Sequence, residues 1–378
     1  MTEVVLRNAK IIGRTEAFDG AVKVANGLID DVSAGATEMG QDMEGDYLIP
    51  GLVELHTDHL EGHYMPRPGV RWNMKAAIQA HDAQIAGSGI TTVFDCVRLG
   101  SDEDRGFQGE EVAGLAQSIT DAQDEGRLRA EHWLHLRCEV SADNVLDHFD
   151  MLKDLPRVRL MSLMDHAPGQ RQFENMEQYD LYYKTNAGLT EEQYQAFVAR
   201  RIAASETYSD KHRRLLASHA KEAGISVASH DDATLEHVKE AKGFGVALAE
   251  FPTTFEAALA SHEQGMSVLM GAPNVVRGGS HSGNIAAKEL AEAGVLDVLS
   301  SDYVPISLIH APFILSDTVE AISLPDAIAL VTDTPAQTVG MTDRGRVEPG
   351  LSADLVRVRY KDGVPIVRAV WRQGERIA

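Results

Sequence analysis

Eight times between Leu52 and Asp302 a short apolar run gives way to a segment with helical signals. That alternation limits the fold more than any other feature of this chain. The runs are Leu52–His56, Ile90–Asp95, Trp133–Glu139, Val158–His166, Ser226–His230, Val246–Phe251, Ser267–Gly271 and Val298–Asp302. Between them lie a capping box at Thr190-x-x-Gln193, a helix stop at Gly224, and C-terminal glycines at Gly243, Gly265 and Gly294. Eight βα repeats close most naturally into a (β/α)8 TIM-like barrel, which takes ~250 residues. The alternative is a doubly wound open sheet, but no Gly-x-Gly-x-x-Gly follows an early strand.

The two ends read differently. Val4–Ile12 and Gly20–Gly27 are short strands and turns with no helix between them, and Ala353–Val358 and Ala369–Gly374 repeat the style. The expectation is a small β-sandwich domain built from both termini, residues 1–48 and 340–378, around a barrel of residues 49–339.

Charge narrows the partners. Thirty-five Lys and Arg against 57 Asp and Glu give a net charge of −22, which disfavours nucleic acid and anionic membranes as partners. A small anionic substrate stays open, because a few arginines in one cleft set the local potential. No apolar run reaches the ~18 residues that span a bilayer, and the first residues lack the basic and apolar regions of a signal peptide. Cys96 and Cys138 sit in strand-like segments and read as reduced packing residues, so a cytoplasmic setting is expected. A homo-oligomer is compatible with all of this.

Most of the runs end in a group that can bind metal or move a proton: His56/Asp58, Asp95, Glu139, Asp165/His166, His230, Glu250 and Asp302. Side chains at i and i+2 of a strand share a face, so His56 and Asp58 point the same way. Any one of these could be a polar strand end meeting solvent. The set is better explained by a barrel whose C-terminal strand ends converge on one divalent-metal site.

Several segments carry a family resemblance. They are Glu54-Leu55-His56-Thr57-Asp58, Pro66-Arg67-Pro68, His135-Leu136-Arg137-Cys138-Glu139, Ser162 through Arg171, Ala228-Ser229-His230-Asp231-Asp232, Gly271 through Asn284, Leu299 through Tyr303, and Gly350-Leu351-Ser352-Ala353-Asp354. Together they resemble the amidohydrolase superfamily over essentially the whole chain. Within it they are similar to the diphosphatase branch that serves the carbon–phosphorus lyase pathway of phosphonate breakdown. The resemblance implies a (β/α)8 barrel and a metal-dependent hydrolase. It also implies a phosphorylated ribose phosphonate as substrate, its 5-triphosphate cut to a 5-phosphate and pyrophosphate.

The sequence departs from the common pattern of that superfamily. Asp58 stands where a second histidine is usual, no lysine ends the fourth strand, and Glu250 replaces a histidine on the sixth. By analogy with members that take a glutamate from strand three, Glu139 becomes the bridging ligand. The implied metal set is His56, Asp58, Glu139, His230 and Asp302. Such an oxygen-rich set suits one or two ions of Zn²⁺, Mn²⁺ or Mg²⁺.

Asp302 takes the water proton in the role that strand-eight aspartates play in the superfamily. Arg67, Arg98, Arg137, Arg171 and Arg277 fall near strand ends, where guanidinium groups can grip phosphate. Gly278, Gly279, Ser280 and Ser282 form a loop before a helix expected near Asn284, a cradle for the terminal phosphates. His281 could protonate the departing pyrophosphate or serve as a plain hydrogen-bond donor. His59, Glu61 and His63 are expected to support the site from the first loop, and Asp232 to cap a helix. Two other readings compete: a hydrolase of an amide, cyclic amide or N-acetyl bond, and a non-catalytic scaffold of the same fold.

Overall fold

A computed structural model of the chain describes residues 3–100, 110–171, 190–280 and 283–378. The first part of the terminal sheet comes from β1 (Glu3–Ile12), β2 (Ala17–Ala25), β3 (Leu28–Ala34), β4 (Gln41–Asp42) and β5 (Tyr47–Pro50). The barrel strands are β6 (Leu52–Thr57), β7 (Ile90–Leu99), β8 (Glu131–Glu139), β9 (Val158–Met164), β10 (Ser226–His230), β11 (Leu248–Glu250), β12 (Ser267–Gly271) and β13 (Val298–Ser300). The chain then returns to the terminal sheet through β14 (Leu355–Lys361), β15 (Val364–Arg372) and β16 (Glu375–Arg376).

The barrel strands pair in parallel in chain order from β6 to β13, with helices between them. Parallel strands covered on both faces must be apolar on both, and Ile90–Val97 is buried throughout. The long helix Glu191–Ala223 starts at the Thr190/Gln193 capping box and stops at Gly224 in the left-handed conformation, φ 69°. Only glycine takes that conformation at little cost, so the stop is written in the sequence.

In the terminal sheet the order is β16-β15-β14-β5-β1-β2-β3, with β4 beside β1. The pairs are antiparallel except β1 with β4 and β1 with β5. Leu6, Ile11, Val22, Ile29 and Met43 from the N-terminal part share one apolar cluster with Leu355, Ala369 and Trp371 from the C-terminal part. Arg357 and Arg359 of β14 donate to the carboxylate of Asp46, at 2.5 and 2.9 Å, joining the two halves electrostatically as well.

Closure of the barrel places the site. Glu54 of β6 is fully buried and accepts from the backbone amides of His56 and Ser301, at 2.6 and 2.5 Å. One carboxylate thus clasps the first and last barrel strands. Above it the amide of Asp302 donates to the His56 carbonyl at 3.1 Å, and the amide of Asp58 donates to the Asp302 carbonyl at 3.0 Å. Burial pushes the pKa of Glu54 up to about 7.

Candidate metal centre

A cavity of about 350 Å³ opens over the C-terminal ends of the strands, within the range of small-ligand sites. His56, Asp58, His166, His230, Asp231 and Asp302 all line it. Their donor atoms form two groups, each within 4.8 Å: His56, Asp58 and Asp302, and His166, His230 and Asp231.

Glu250 joins the groups from beneath. Its two oxygens accept from Nδ1 of His56 and Nδ1 of His230, each at 3.1 Å, and Ser162 donates to it at 2.6 Å. A carboxylate that accepts from Nδ1–H keeps the hydrogen there and leaves Nε2 with the lone pair, which is the tautomer a metal ligand needs. Burial alone would raise the Glu250 pKa, but the surrounding His56 and His135 hold it well below the usual carboxylate range. The register puts His230 opposite Glu250 on adjacent strands, so this clamp follows from strand pairing.

Backbone conformation aims the strand ends. Asp231, Phe251 and Asp302 are non-glycine residues with φ of 57°, 53° and 52°. Such residues cost on the order of 1–3 kcal/mol each and persist where the surroundings hold them. The Phe251 ring packs edge-on against His56 and His230, at centroid distances of 5.0 and 5.3 Å.

Glu139 stands apart from both groups. It accepts from Ser141 Oγ at 2.8 Å and from the His166 amide at 3.0 Å, while its other oxygen lies 2.6 Å from His166 Nδ1. Burial would lift its carboxyl, but His166, Arg201 and Arg98 hold it well below the usual range. Two other strand-run carboxylates turn away. Asp95 lies in mid-strand, because β7 continues to Leu99, and faces His81 and His132 in the outer layer. Asp165 accepts from Ser205 of the long helix.

The arginines divide. Arg98, Arg137 and Arg277 line the cavity. Arg137 donates to Asp58, and Arg98 lies 3.7 Å from Glu139. No ion pair ties exposed Arg277 among the described residues. Arg67 is exposed at a tight bridge with Val70 and does not line the cavity. Arg171 is buried, its guanidinium donating to Asp232 and Glu240. The cap of the following helix, Leu235–Gly243, is therefore Thr234, and Asp232 is the counterion of Arg171.

Gly278 ends the helix Ala272–Arg277 in the left-handed conformation, φ 83°, and Gly279 follows it. Ser280 reaches the cavity wall, whereas the two glycines do not. The next helix begins at Ala287, with Asn274 accepting from its amide, and Asn284 lies in the loop before it. His281 and Ser282 lie outside the described residues.

Sequence reasoning missed the clamp of Glu250, the seam carboxylate Glu54 and the proximity of Asp231. For Glu250 a signal existed: an acidic residue ending a fully buried strand beside one that ends in histidine.

The profile of the amidohydrolase family matches residues 70–377. The alpha-D-ribose 1-methylphosphonate 5-triphosphate diphosphatase of Escherichia coli (strain K12) is 45% identical over 377 residues, 99% of this chain and 100% of that protein. Among solved structures, a Xaa-Pro dipeptidase with bound methionine superposes with a TM-score of 0.67 at 16% identity, covering 99% of each chain. A mutant N-acetyl-D-glucosamine-6-phosphate deacetylase from Mycobacterium smegmatis gives 0.64 at 15% identity, with 100% of each chain covered. At such identities these two structures speak for the fold alone.

Proposed function

This chain belongs to the amidohydrolase family, and we propose that it hydrolyses the 5-triphosphate of a ribose 1-methylphosphonate, leaving a 5-phosphate and releasing pyrophosphate. The end-to-end likeness to the diphosphatase of Escherichia coli supports this reading. The observation that carries it is the composition of one cavity, where imidazoles and carboxylates share the wall with Arg277, Arg98 and Ser280. A neutral amide would give Arg277 no anionic partner, whereas a triphosphate would.

The donor set fits divalent metal. Glu250 presents the Nε2 lone pairs of both His56 and His230, and Asp58 and Asp302 supply anionic oxygens beside the first. In our reading His56, Asp58 and Asp302 would hold one ion and His166, His230 and Asp231 a second, with Glu139 supporting His166 through Nδ1 rather than reaching the ions. Zn²⁺, Mn²⁺ or Mg²⁺ there would acidify a water and offset phosphoryl charge.

The chain's own groups do the rest. Asp302 accepts the proton of the attacking water, its carboxylate presented by the left-handed turn at the strand end. Arg137 keeps Asp58 ionised, its pKa held well below the usual carboxylate range against the effect of burial. Arg98, Arg277 and Ser280 receive the phosphates, and the Phe251 ring, packed against both histidines, holds their orientation.

Phosphorus NMR of turnover in ¹⁸O-water tests the proposal. Pyrophosphate and a 5-phosphate carrying ¹⁸O are expected. Intact triphosphate, or ¹⁸O in the pyrophosphate, would overturn it.

A further inference from the structure

A second histidine cluster lies behind the cavity wall. His59 and His63 are one turn apart on the helix His59–Tyr64, and His81 faces them from the helix Met74–Gly87. Residues at i and i+4 of a helix share a face, which is the common spacing for two imidazole ligands. The three ring centres are 4.9 Å (His59–His63), 6.0 Å (His59–His81) and 6.1 Å (His63–His81) apart. An ion ~2 Å from one nitrogen of each ring, in tetrahedral geometry, would separate the ring centres by roughly 5–6 Å.

Each ring has one buried nitrogen with no hydrogen-bond partner among the described residues: Nε2 of His59, Nε2 of His63 and Nδ1 of His81. The partners of the opposite nitrogens settle what two of these atoms are. His59 Nδ1 lies 3.2 Å from the Tyr303 carbonyl, which can only accept, so Nδ1 carries the hydrogen and Nε2 the lone pair. His81 Nε2 lies 2.7 Å from the Asp95 carboxylate, so Nδ1 carries the lone pair there. Three buried nitrogens therefore lack a partner, and an unpaired buried polar atom costs roughly 1–3 kcal/mol.

We propose that His59, His63 and His81 form a second metal site, distinct from the cavity, that takes a late first-row divalent ion, zinc above all. Imidazole suits such ions, and the Asp95 carboxylate behind His81 is the partner that metal-bound histidines characteristically have. Asp95 is shared with His132 at 2.7 Å, and His132 also reaches Asp82 at 3.3 Å, so the support extends through two further buried groups. Burial lowers the His81 pKa and keeps the ring neutral, as a ligand must be. This trio is absent from the groups whose donor atoms already lie within 4.8 Å of one another, so binding turns the rings about χ2, a soft torsion in histidine. The bound ion would tie the first loop of the barrel to the helix behind it.

Metal content of the full-length protein after dialysis against zinc tests this. His63 is half-buried, so His63→Gln is expected to fold and to carry one ion fewer per chain than wild type. His230→Asn, altered in the cavity instead, should keep that ion, so that adding His63→Gln to it removes one more. Equal zinc content in wild type and His63→Gln would overturn the proposal. Anomalous scattering at the zinc edge from zinc-soaked wild-type crystals is an independent readout. A peak among the three rings supports the site, and no peak there overturns it.

Discussion

The backbone amide of Asp302 donates to the carbonyl of His56 across 3.1 Å, so the last barrel strand is fastened to the first at the residues assigned to the chemistry. The Thr57–Asp302 bridge and the Glu54 carboxylate complete the seam. None of these bonds uses the Asp302 carboxylate. Fold and reactivity at this position can therefore be separated by substitution.

Asp302→Asn should fold and hold metal through its amide oxygen while losing proton acceptance. Loss of a general base typically costs ~10²–10⁴ in rate, so kcat should fall by about that factor with thermal stability close to wild type. Parallel melting and turnover measurements check it. Near-normal turnover would assign the proton to another group.

Glu250→Gln leaves one oxygen where two histidines each need an acceptor. Removing such a support typically costs ~10–100-fold in metal affinity, and that loss is the expected outcome. Competition with a chelator measures it. Unchanged affinity would show that strand geometry alone orients His56 and His230.

Arg277→Ala and Arg171→Ala should part company. A charge-assisted hydrogen bond is worth ~1.5–3 kcal/mol, so Arg277→Ala should lower kcat/KM for the triphosphate by roughly ten- to a hundredfold. A monophosphate analogue should bind nearly as it does to wild type. Arg171 is buried between Asp232 and Glu240, and breaking a buried pair costs ~3–5 kcal/mol. Its loss should appear in urea unfolding, with the preference among di- and triphosphate substrates unchanged.

Asp46 sets an acid limit on the terminal sheet. Burial would raise its pKa, but hydrogen bonds from Arg359 and Arg357 outweigh this and lower it. A depressed carboxylate pKa stabilises the fold above the unfolded value, near ~4, and that contribution vanishes as pH falls through the lowered one. Asp46→Asn should thus be less stable than wild type at pH 7 by roughly 1.5–3 kcal/mol. The gap should close toward pH 2. Urea midpoints at both pH values decide it, and a gap independent of pH would remove Asp46 as the titrating group.

The barrel was legible because each strand must be apolar on both faces and each helix must announce its ends. Thr190 with Gln193 and Gly224 did so plainly. Groups that line the cavity, such as His56, Asp58, His230 and Asp302, could be read from their position at strand ends. Orientation across the layer could not. Asp95 looked like a strand end because the apolar run pauses there, yet β7 continues and turns it outward. Arg171 looked like a phosphate ligand because a cation's partner depends on which helix packs over it. The His59, His63 and His81 group joins two helices, and only packing reveals that the second meets the first.

The terminal sheet has a consequence for synthesis. β14 occupies the place between β5 and β15, yet Leu355 is made roughly 300 residues after Pro50. At ~5–20 residues per second, β5 waits roughly 15–60 s on the ribosome with one edge unpaired. That edge is only four residues long, Tyr47–Pro50, and short edges template aggregation poorly. The order of translation thus makes all eight barrel strands before the strand that completes this sheet beside β5, and the brevity of β5 limits what its open edge can template during the delay.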